Sequence, residues 1–252
     1  DVDISILDNF SNILNTKNIQ NKIPIIKGDT RDKEIVNNLV SNVDIIIHLA
    51  AQINVSKSIE CPIYDADNNI NGTLYLLEAA RNSTIKKFVY ISSAAVYGIP
   101  EYLPIDEKHR TNPISPYGLS KLVGERYSIL FHNLYGLPVV CLRLFNVFGP
   151  GQMKNSYSGV ITKFIENVKS DNSPVIFGDG SQKRDFVYIE DITNAISLTI
   201  KSDNAIGHVL NIGTGRQTSI KNLEEIITKI YNKKLYPKFE EIRLGDIKDS
   251  YA

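Results

Sequence analysis

The sequence has no tryptophan, a single methionine, only two cysteines and no excess of either charge. Its 28 basic and 28 acidic side chains cancel, which disfavours a nucleic-acid-binding protein because such proteins usually carry a basic excess. The cysteines, Cys61 and Cys141, are too few for a disulfide framework and favour a reducing, cytoplasmic compartment. Hydrophobic residues at 42% and charged residues at 22% exclude wholesale disorder.

Long apolar runs are also missing. No run approaches the roughly 18–20 residues that a membrane span needs, so no membrane partner is expected. The longest candidate, Asp44–Ala51, has the length of a strand. The chain begins with Asp1, has no signal-peptide pattern, and its residues Val2–Leu7 already have the pattern of a strand. We therefore expect a chain that starts in the middle of a fold.

Strand and helix patterns alternate along residues 1–148. The predicted strands are Val2–Leu7, Ile23–Ile26, Asp44–Leu49 (buried), Lys87–Ser92 and Pro138–Phe145. The predicted helices are Asp32–Val40, Asn69–Arg81 and Pro116–Tyr135. This order predicts an α/β fold with a Rossmann-like, doubly wound parallel sheet covered by helices on both faces. Ligands bind such sheets outside the carboxyl ends of the strands.

The pattern changes after Phe148, where Gly149-Pro-Gly151 interrupts regular structure. Residues 149–252 predict a smaller, mainly substrate-binding lobe packed on the first domain. Segments near 184–213 are expected to return to the sheet of residues 1–148. The predicted elements of the lobe are helices Val160–Lys169, Asp191–Ile200 and Ser219–Tyr231 and strands Val175–Phe177 and Val209–Ile212.

Two acidic residues follow predicted strands, Asp8 after the first and Asp29 after the second. In a dinucleotide-binding unit, an acid about 20 residues after a glycine-rich turn binds the adenosine ribose. Such an acid also repels a 2′-phosphate and so favours NAD over NADP. The glycine-rich turn itself is absent, and ordinary turn chemistry explains each acid equally well.

Tyr117 and Lys121 have the i, i+4 spacing that places two side chains on one helix face. Bringing a tyrosine pKa from ~10 to about 7 requires roughly 4 kcal/mol. One charge at ~5 Å in an effective dielectric of ~20 supplies about 3 kcal/mol. A lysine there would favour a phenolate base, although the spacing alone is not specific. Ser92 and Ser93 end a predicted buried strand and could reach the same cleft, or could simply bond nearby backbone.

Motifs along the whole chain resemble, in order, those of the extended short-chain dehydrogenase/reductase family. The resemblance is to its NAD-dependent epimerase/dehydratase type, close to the UDP-glucose 4-epimerases. The motifs are Asp8-Asn9, Gly28-Asp29, His48-Leu-Ala-Ala-Gln52, Asn68-Asn-Ile-Asn-Gly-Thr73, Ser92-Ser-Ala-Ala-Val-Tyr-Gly98, Tyr117-Gly-Leu-Ser-Lys121, Arg143-Leu-Phe-Asn-Val-Phe-Gly-Pro150, Arg184-Asp-Phe-Val-Tyr188 and Arg243-Leu-Gly-Asp246.

The resemblance implies a role for each matched residue. The implied catalytic residues are Ser93, Tyr117 and Lys121. The implied NAD-binding residues are Asp8, Asn9, Asp29, Thr30, Ala50, Ala51, Gln52, Asn69, Tyr117 and Lys121. The implied substrate-binding residues are Ser93, Asn146, Arg184, Arg243, Asp246 and Ser250. Arginines at two of these positions suit a diphosphate, because a guanidinium can bind phosphate oxygens in a bidentate fashion. No metal site is implied.

Ala94 and Ala95 separate two activities of the family. The resembling 4,6-dehydratases carry Asp-Glu after the serine, and two alanines cannot transfer protons. The resemblance therefore implies epimerisation of a UDP-sugar at C4 through a 4-keto intermediate, with UDP-glucose and UDP-galactose as substrates. Ser250 matches a position at which a small residue admits N-acetylhexosamines, which extends the hypothesis to UDP-GlcNAc and UDP-GalNAc. A homodimer formed by helices Asn69–Arg81 and Pro116–Tyr135 is also implied.

Three alternatives stay open. The chain could be a UDP-glucuronate epimerase or decarboxylase, or a deoxysugar reductase, because these enzymes differ at sugar-facing residues. It could be a non-catalytic nucleotide-binding protein with the same fold. It could also be a fragment without a ligand, because it resembles a chain truncated at both ends. The first strand, the glycine-rich loop and the segment after Arg243–Asp246 of the family pattern are not present in the sequence.

Overall fold

The structure, a computed structural model, describes residues 2–11, 23–152, 159–242 and 247–252. The strands are β1 (Ile6–Asp8), β2 (Ile25–Lys27), β3 (Ile45–His48), β4 (Lys87–Ser93), β5 (Val139–Leu144), β6 (Asn146–Phe148), β7 (Val175–Phe177), β8 (Lys183–Tyr188), β9 (Val209–Ile212), β10 (Gln217–Ser219), β11 (Lys238–Glu240) and β12 (Asp249–Ser250). The helices are α1 (Lys33–Val40), α2 (Val55–Glu60), α3 (Pro62–Ala66), α4 (Gly72–Arg81), α5 (Pro116–Tyr135), α6 (Val160–Lys169), α7 (Ile189–Lys201) and α8 (Ile220–Ile230).

The central sheet has the strand order β3-β4-β5-β9, and all its neighbouring strands are parallel. Alternate residues of β4 enter different cores, because successive side chains of a strand point to opposite faces. Phe88 and Tyr90 pack with apolar residues of α1, α4 and α5, whereas Val89 and Ile91 pack with those of α7. Helices therefore cover both faces, which confirms the predicted doubly wound parallel sheet.

One edge of this sheet is more exposed than the sequence suggested. β1 and β2 pair in parallel as a separate two-stranded sheet, and β3 is an edge strand of the four-stranded sheet. The prediction of a buried strand at Asp44–Leu49 was wrong in that respect. Ile47 is 38% exposed and Leu49, just beyond the strand, is 59% exposed.

Residues after Phe148 build further small sheets. β8 pairs with β6, β10 and β12, and β7 pairs with β11. Within residues 184–213, β9 pairs with β5 of the central sheet, whereas β8 pairs with β6, β10 and β12. Helices α6 and α8 pack on β7 around Phe164, Ile176 and Leu223, because their apolar residues recur at helical spacing.

Helix α5 has clear signals at both ends. The side chain of Ser115 accepts a hydrogen bond from the main-chain N–H of Gly118, and Pro116 occupies the first turn. Gly136 ends the helix in the left-handed conformation, with φ of 70°. The predicted bounds of this helix, Pro116–Tyr135, are those observed. No helix in the described ranges is long and apolar enough to cross a membrane.

A buried ion pair fastens α5 to the central sheet. Arg143 of β5 donates from Nε and Nη2 to the two carboxylate oxygens of Glu125, at 2.9 and 2.6 Å. The two side chains are only 4% and 1% exposed. Ser92 of β4 donates to the same carboxylate at 2.9 Å, and Arg143 also donates to the Tyr97 hydroxyl at 2.8 Å. Every polar group named here has a hydrogen-bond partner, so α5 has one preferred position on the sheet.

We expect Arg143→Leu to lower the free energy of unfolding by about 3–5 kcal/mol, because Glu125 would remain as an uncompensated buried charge. Urea denaturation measures this change. The control is Arg81→Leu, which removes the exposed pair with Glu78 and should cost less than about 1 kcal/mol. Equal losses in the two variants would contradict the anchoring role.

Candidate active site

The three catalytic candidates lie at the carboxyl end of β4. Ser93 is the last residue of that strand, and Tyr117 and Lys121 lie one turn apart in the first half of α5. The Ser93 hydroxyl accepts a hydrogen bond from the Ala95 main-chain N–H at 3.2 Å, and the same hydroxyl lowers the pKa of the Tyr117 phenol. Lys121 donates from Nζ to the Ile91 carbonyl of β4 at 2.9 Å. The fold thus brings the three predicted residues together.

The electrostatics of this cluster differ from the simple lysine–tyrosine picture. Burial raises the pKa of Tyr117, the neighbouring Ser93 side chain lowers it, and the negative charge of Asp65 raises it. Burial lowers the pKa of Lys121 to about 8, against the opposing effect of Asp65. The phenolate is therefore disfavoured by the protein groups alone, and a positive charge brought into the cleft would favour it.

Close backbone contacts fix where α5 begins. A Cβ on Gly118 would lie 2.6 Å from the Ala95 carbonyl oxygen, so only glycine allows the helix to approach this turn. The Tyr117 main-chain N–H donates to the hydroxyl of the buried Ser58 at 3.1 Å. These contacts hold the Tyr117 backbone against the end of β4.

The predicted adenosine-binding residues form a second cluster, at the ends of β1 and β2. Asn9 donates from Nδ2 to Asp29 at 2.7 Å, and Arg31 donates to both oxygens of the same carboxylate at 2.8 Å. The Arg31 guanidinium holds the pKa of Asp29 well below its usual range. These side-chain donors and the Arg31 main-chain N–H already bond to the Asp29 carboxylate. The carboxylate therefore has little capacity left to accept a hydrogen bond from an adenine base. Thr30 packs against Gly72 of α4.

The loop after β3 contains the next predicted residues. Ala50 is exposed and Ala51 partly exposed, whereas Gln52 and Asn69 are buried. The Asn69 side chain accepts from the Gln52 main-chain N–H at 2.7 Å and donates to its carbonyl at 2.9 Å. Asn69 lies in a π-helical turn, Asp67–Asn71, a type of turn that is frequent at functional sites. Contact of these residues with a cofactor stays a prediction.

The residues of these two clusters fit NAD. Within the described residues the Asp8 carboxylate accepts one hydrogen bond, from the Phe10 N–H at 2.7 Å, and a carboxylate can accept about four. It therefore keeps capacity for two ribose hydroxyls. The methyl side chains of Ala50 and Ala51 leave room along the strand end. NAD would be held by Asp8 at its adenosine end and would reach Tyr117 and Lys121 with its nicotinamide end.

Three predicted substrate residues share one small sheet. Asn146 of β6 and Arg184 of β8 lie on paired strands, and Ser250 of β12 is the register partner of Arg184. Asn146 donates to the Asp185 carbonyl at 3.1 Å. The buried Asp185 carboxylate in turn accepts from the N–H groups of Thr214 and Gly215 at 3.0 Å, which fixes the loop after β9. The predicted residues Arg243 and Asp246 lie outside the described residues.

Sequence reasoning missed two residues of the site. Arg31 follows Asp29 by two positions, and its pairing with both Asp29 and Asp67 was not expected. Asp65 is buried beside Ser120, and its i, i+4 spacing to Asn69 was the only signal in the sequence. In the described part of the chain, no group of three histidine, cysteine or acidic side chains could hold a metal ion.

Known proteins resemble this chain over most of its length. A protein of Methanocaldococcus jannaschii, provisionally named UDP-glucose 4-epimerase, is 46% identical over 227 residues, which are 89% of this chain and 73% of that protein. The UDP-N-acetylglucosamine 4-epimerase of Methanobrevibacter ruminantium, solved with UDP-N-acetylmuramic acid, is 38% identical with a TM-score of 0.93, over 98% of this chain and 80% of that one. The UDP-glucose 4-epimerase of Thermotoga maritima, solved with UDP-glucose, is 32% identical with a TM-score of 0.94, over 99% and 81%.

A family model described as the NAD dependent epimerase/dehydratase family matches residues 1–213. This match covers most of the 252 residues and includes both the adenosine cluster and the Ser93, Tyr117 and Lys121 cluster. The chain therefore belongs to the NAD dependent epimerase/dehydratase family, which is of the extended short-chain dehydrogenase/reductase type.

Proposed function

We propose that the protein is an NAD-dependent UDP-sugar 4-epimerase that interconverts UDP-glucose and UDP-galactose and also accepts UDP-GlcNAc and UDP-GalNAc. The observation that carries this proposal is the placement of Ser93 at the carboxyl end of β4, together with Tyr117 and Lys121 one turn apart on α5, where Lys121 donates to the Ile91 carbonyl of β4. The similarity to epimerases named for UDP-glucose and for UDP-N-acetylglucosamine supports it.

The protein groups would act on the 4-hydroxyl of the sugar. Bound NAD supplies the acceptor, and later the donor, of the hydrogen at C4, and its positive ring favours the phenolate. The Tyr117 phenolate takes the proton from the 4-hydroxyl while Ser93 hydrogen-bonds to the same oxygen. The 4-keto sugar then turns about its diphosphate and presents its other face. Tyr117 returns the proton when C4 is reduced, with inverted configuration.

Two alanines favour epimerisation over dehydration. Loss of water from the sugar requires an acid and a base beside C5 and C6. Ala94 and Ala95 occupy the turn that follows Ser93, and neither has a group that transfers protons. Reduction of the keto sugar is then favoured over loss of water.

The substrate would be held by its diphosphate, because the sugar must be free to turn. Arg184 supports this assignment, since it lies on β8 beside Asn146 of β6 and Ser250 of β12. A guanidinium can bind two phosphate oxygens at once. Arg243 as a second diphosphate ligand and Asp246 as a ribose acceptor complete the proposal from the sequence.

We expect Tyr117→Phe to lower turnover of UDP-galactose to UDP-glucose by at least about 100-fold, because the proton acceptor is lost. The assay uses this chain with NAD, and also a version that carries the flanking segments of the Methanocaldococcus jannaschii relative, of which the chain spans 73%. Tyr127→Phe is the matched control, because Tyr127 is on the same helix and is 36% exposed.

Other outcomes of this assay discriminate the alternatives. Turnover that survives Tyr117→Phe would contradict the proposed base. Absence of turnover in both versions, with UDP still bound, would favour a different nucleotide-sugar enzyme such as a UDP-glucuronate epimerase. Binding of neither NAD nor UDP would favour a chain without a ligand.

The small side chain of Ser250 is proposed to admit an N-acetyl group. We expect Ser250→Tyr to abolish turnover of UDP-GlcNAc while turnover of UDP-glucose changes by less than about 10-fold, since a pocket residue discriminates by roughly 1–3 kcal/mol per group. Ser250→Ala, which keeps the space, is the control. Loss of both substrates in the tyrosine variant, or failure of the unsubstituted protein to use UDP-GlcNAc, would reject this role.

A homodimer is also part of the proposal. Four exposed apolar side chains of α5 lie on one face of the helix, at Leu119, Tyr127, Leu130 and Leu134, with exposures of 52, 36, 44 and 63%. An apolar stripe of this length on a helix that also packs on the sheet is typical of an interface between subunits. A second copy of α5 would cover it.

We expect Leu130→Asp to convert a dimer to a monomer in light scattering, because a charge would be buried in the interface. Leu198→Asp is the control, since Leu198 is 67% exposed on α7, on the other face of the sheet. A stable monomer of the unsubstituted chain would reject the proposal.

A further inference from the structure

Asp65 is a buried carboxylate that the proposed reaction does not use. It lies on α3, is 1% exposed, and accepts three hydrogen bonds. Gln52 donates to Oδ1 from Nε2 at 2.7 Å, and Asn69 donates to the same oxygen from Nδ2 at 3.2 Å. Ser120 donates from Oγ to Oδ2 at 2.6 Å. A single acid thus contacts three separate segments of the chain.

The three donors belong to segments that frame the Tyr117–Lys121 pair. Gln52 belongs to the loop that follows β3, and Asn69 belongs to the π-helical turn before α4. Ser120 lies between Tyr117 and Lys121 on α5, and its hydroxyl also contacts the Tyr117 carbonyl at 3.0 Å. Loss of the carboxylate would leave these donors without their common acceptor, which costs most where the groups are buried.

The charge of Asp65 is not neutralised locally. Its hydrogen bonds in the described residues come from two amides and a hydroxyl, all of them neutral. Lys121 is the buried cation of the same region, 4% exposed, and the charge of Asp65 acts on its ammonium. A buried charge interacts over several ångströms because the surrounding dielectric is low.

The other ionisable groups around Lys121 do not supply this anion. The Tyr90 ring of β4 lies 5.3 Å from Nζ, and burial keeps its hydroxyl protonated by raising its pKa. Burial lowers the pKa of His48 on β3 to about 3, so that it is neutral. Glu125, one turn further along α5, is bound in the ion pair with β5 described above. Among the described residues, Asp65 is therefore the buried carboxylate of a neighbouring element whose charge acts on Lys121.

We propose that Asp65 is a positioning residue for the Tyr117–Lys121 pair. Its carboxylate holds Ser120 and Asn69 by hydrogen bonds, and its charge keeps Lys121 a cation. The hydrogen bonds fix the position of α5 relative to the loop that follows β3. The charge of Asp65 sets the upper end of the pH range in which Lys121 is protonated and can act. The catalytic part of this proposal rests on the proposed function, whereas the effect of Asp65 on Lys121 does not.

The direct test is the titration of Lys121 by NMR of lysine-labelled protein, with the Lys121 signal assigned by Lys121→Arg. In the unsubstituted chain the midpoint is expected near pH 8. Asp65→Asn should lower it by about 1 to 2 pH units, the effect of one charge several ångströms away at an effective dielectric of ~20. Should that variant not fold, Asp65→Ser removes the same charge with a smaller side chain, and the same fall is expected.

Ser120→Ala is the matched control, because it removes the hydroxyl that bonds to Asp65, to Asn69 and to the Tyr117 carbonyl but keeps the carboxylate. It should leave the Lys121 midpoint unchanged. An unchanged midpoint in the Asp65 variants, or an equal fall in the Ser120 variant, would overturn the proposal. These results need no turnover, so they decide the matter even if the proposed function fails.

The pH profile of turnover tests the catalytic part. Asp65→Asn should move the alkaline limb to lower pH by the same 1 to 2 pH units, while Ser120→Ala lowers turnover and leaves the limb in place. If Asp65→Asn retains the unsubstituted rate and profile while Tyr117→Phe is inactive, Asp65 has no such role and the proposed function stands.

Discussion

The bidentate ion pair between Glu125 and Arg143 is the contact on which the geometry of the site depends. It joins the middle of α5 to β5, and Ser92 extends it to β4. Tyr117, Lys121 and Glu125 are spaced by four residues along α5, so they lie on one face of that helix. Because Glu125 is held against the sheet, Lys121 is held at the Ile91 carbonyl and Tyr117 at the end of β4. Breaking a buried pair of this kind is costly, because one charge is left without its partner.

In the candidate site, polar residues join the face of α5 that carries Tyr117 and Lys121 to the loop that follows β3. The Asn69 side chain bonds to both the main-chain N–H and the carbonyl of Gln52. Asp65 connects these two residues to Ser120 of α5. Small residues complete the arrangement where backbones approach, as Gly118 does beside Ala95. The loop that follows β3 and helix α5 are thus positioned by one continuous hydrogen-bond network. A polar network of this kind specifies a single arrangement when all its members are satisfied.

The charges of the cluster oppose one another. Burial disfavours the ionised forms of both Tyr117 and Lys121, and Asp65 favours the cation while it disfavours the phenolate. An enzyme that cycles between an oxidised and a reduced cofactor can use this balance. The phenolate is then favoured only while the positive ring is in the cleft, and it is protonated again when that charge is lost. Proton transfer would thereby be coupled to the redox state of the cofactor by electrostatics alone.

The sequence by itself determined the fold class, the bounds of α5 and the family, because alternating strand and helix patterns and ordered motifs are local signals. It placed Ser93, Tyr117 and Lys121 in one cleft, since strand ends and the following helices meet at one edge of a parallel sheet. Only the tertiary structure decided that β3 is an exposed edge strand, that β8 pairs outside the central sheet, and that Arg31 closes on Asp29. It also brought the Asp65 side chain into contact with Ser120. That side chain precedes Ser120 by 55 residues, and a contact between such distant residues leaves no periodic pattern in the chain. Burial and pairing are set by which elements pack together, and a single sequence does not encode that in any local spacing.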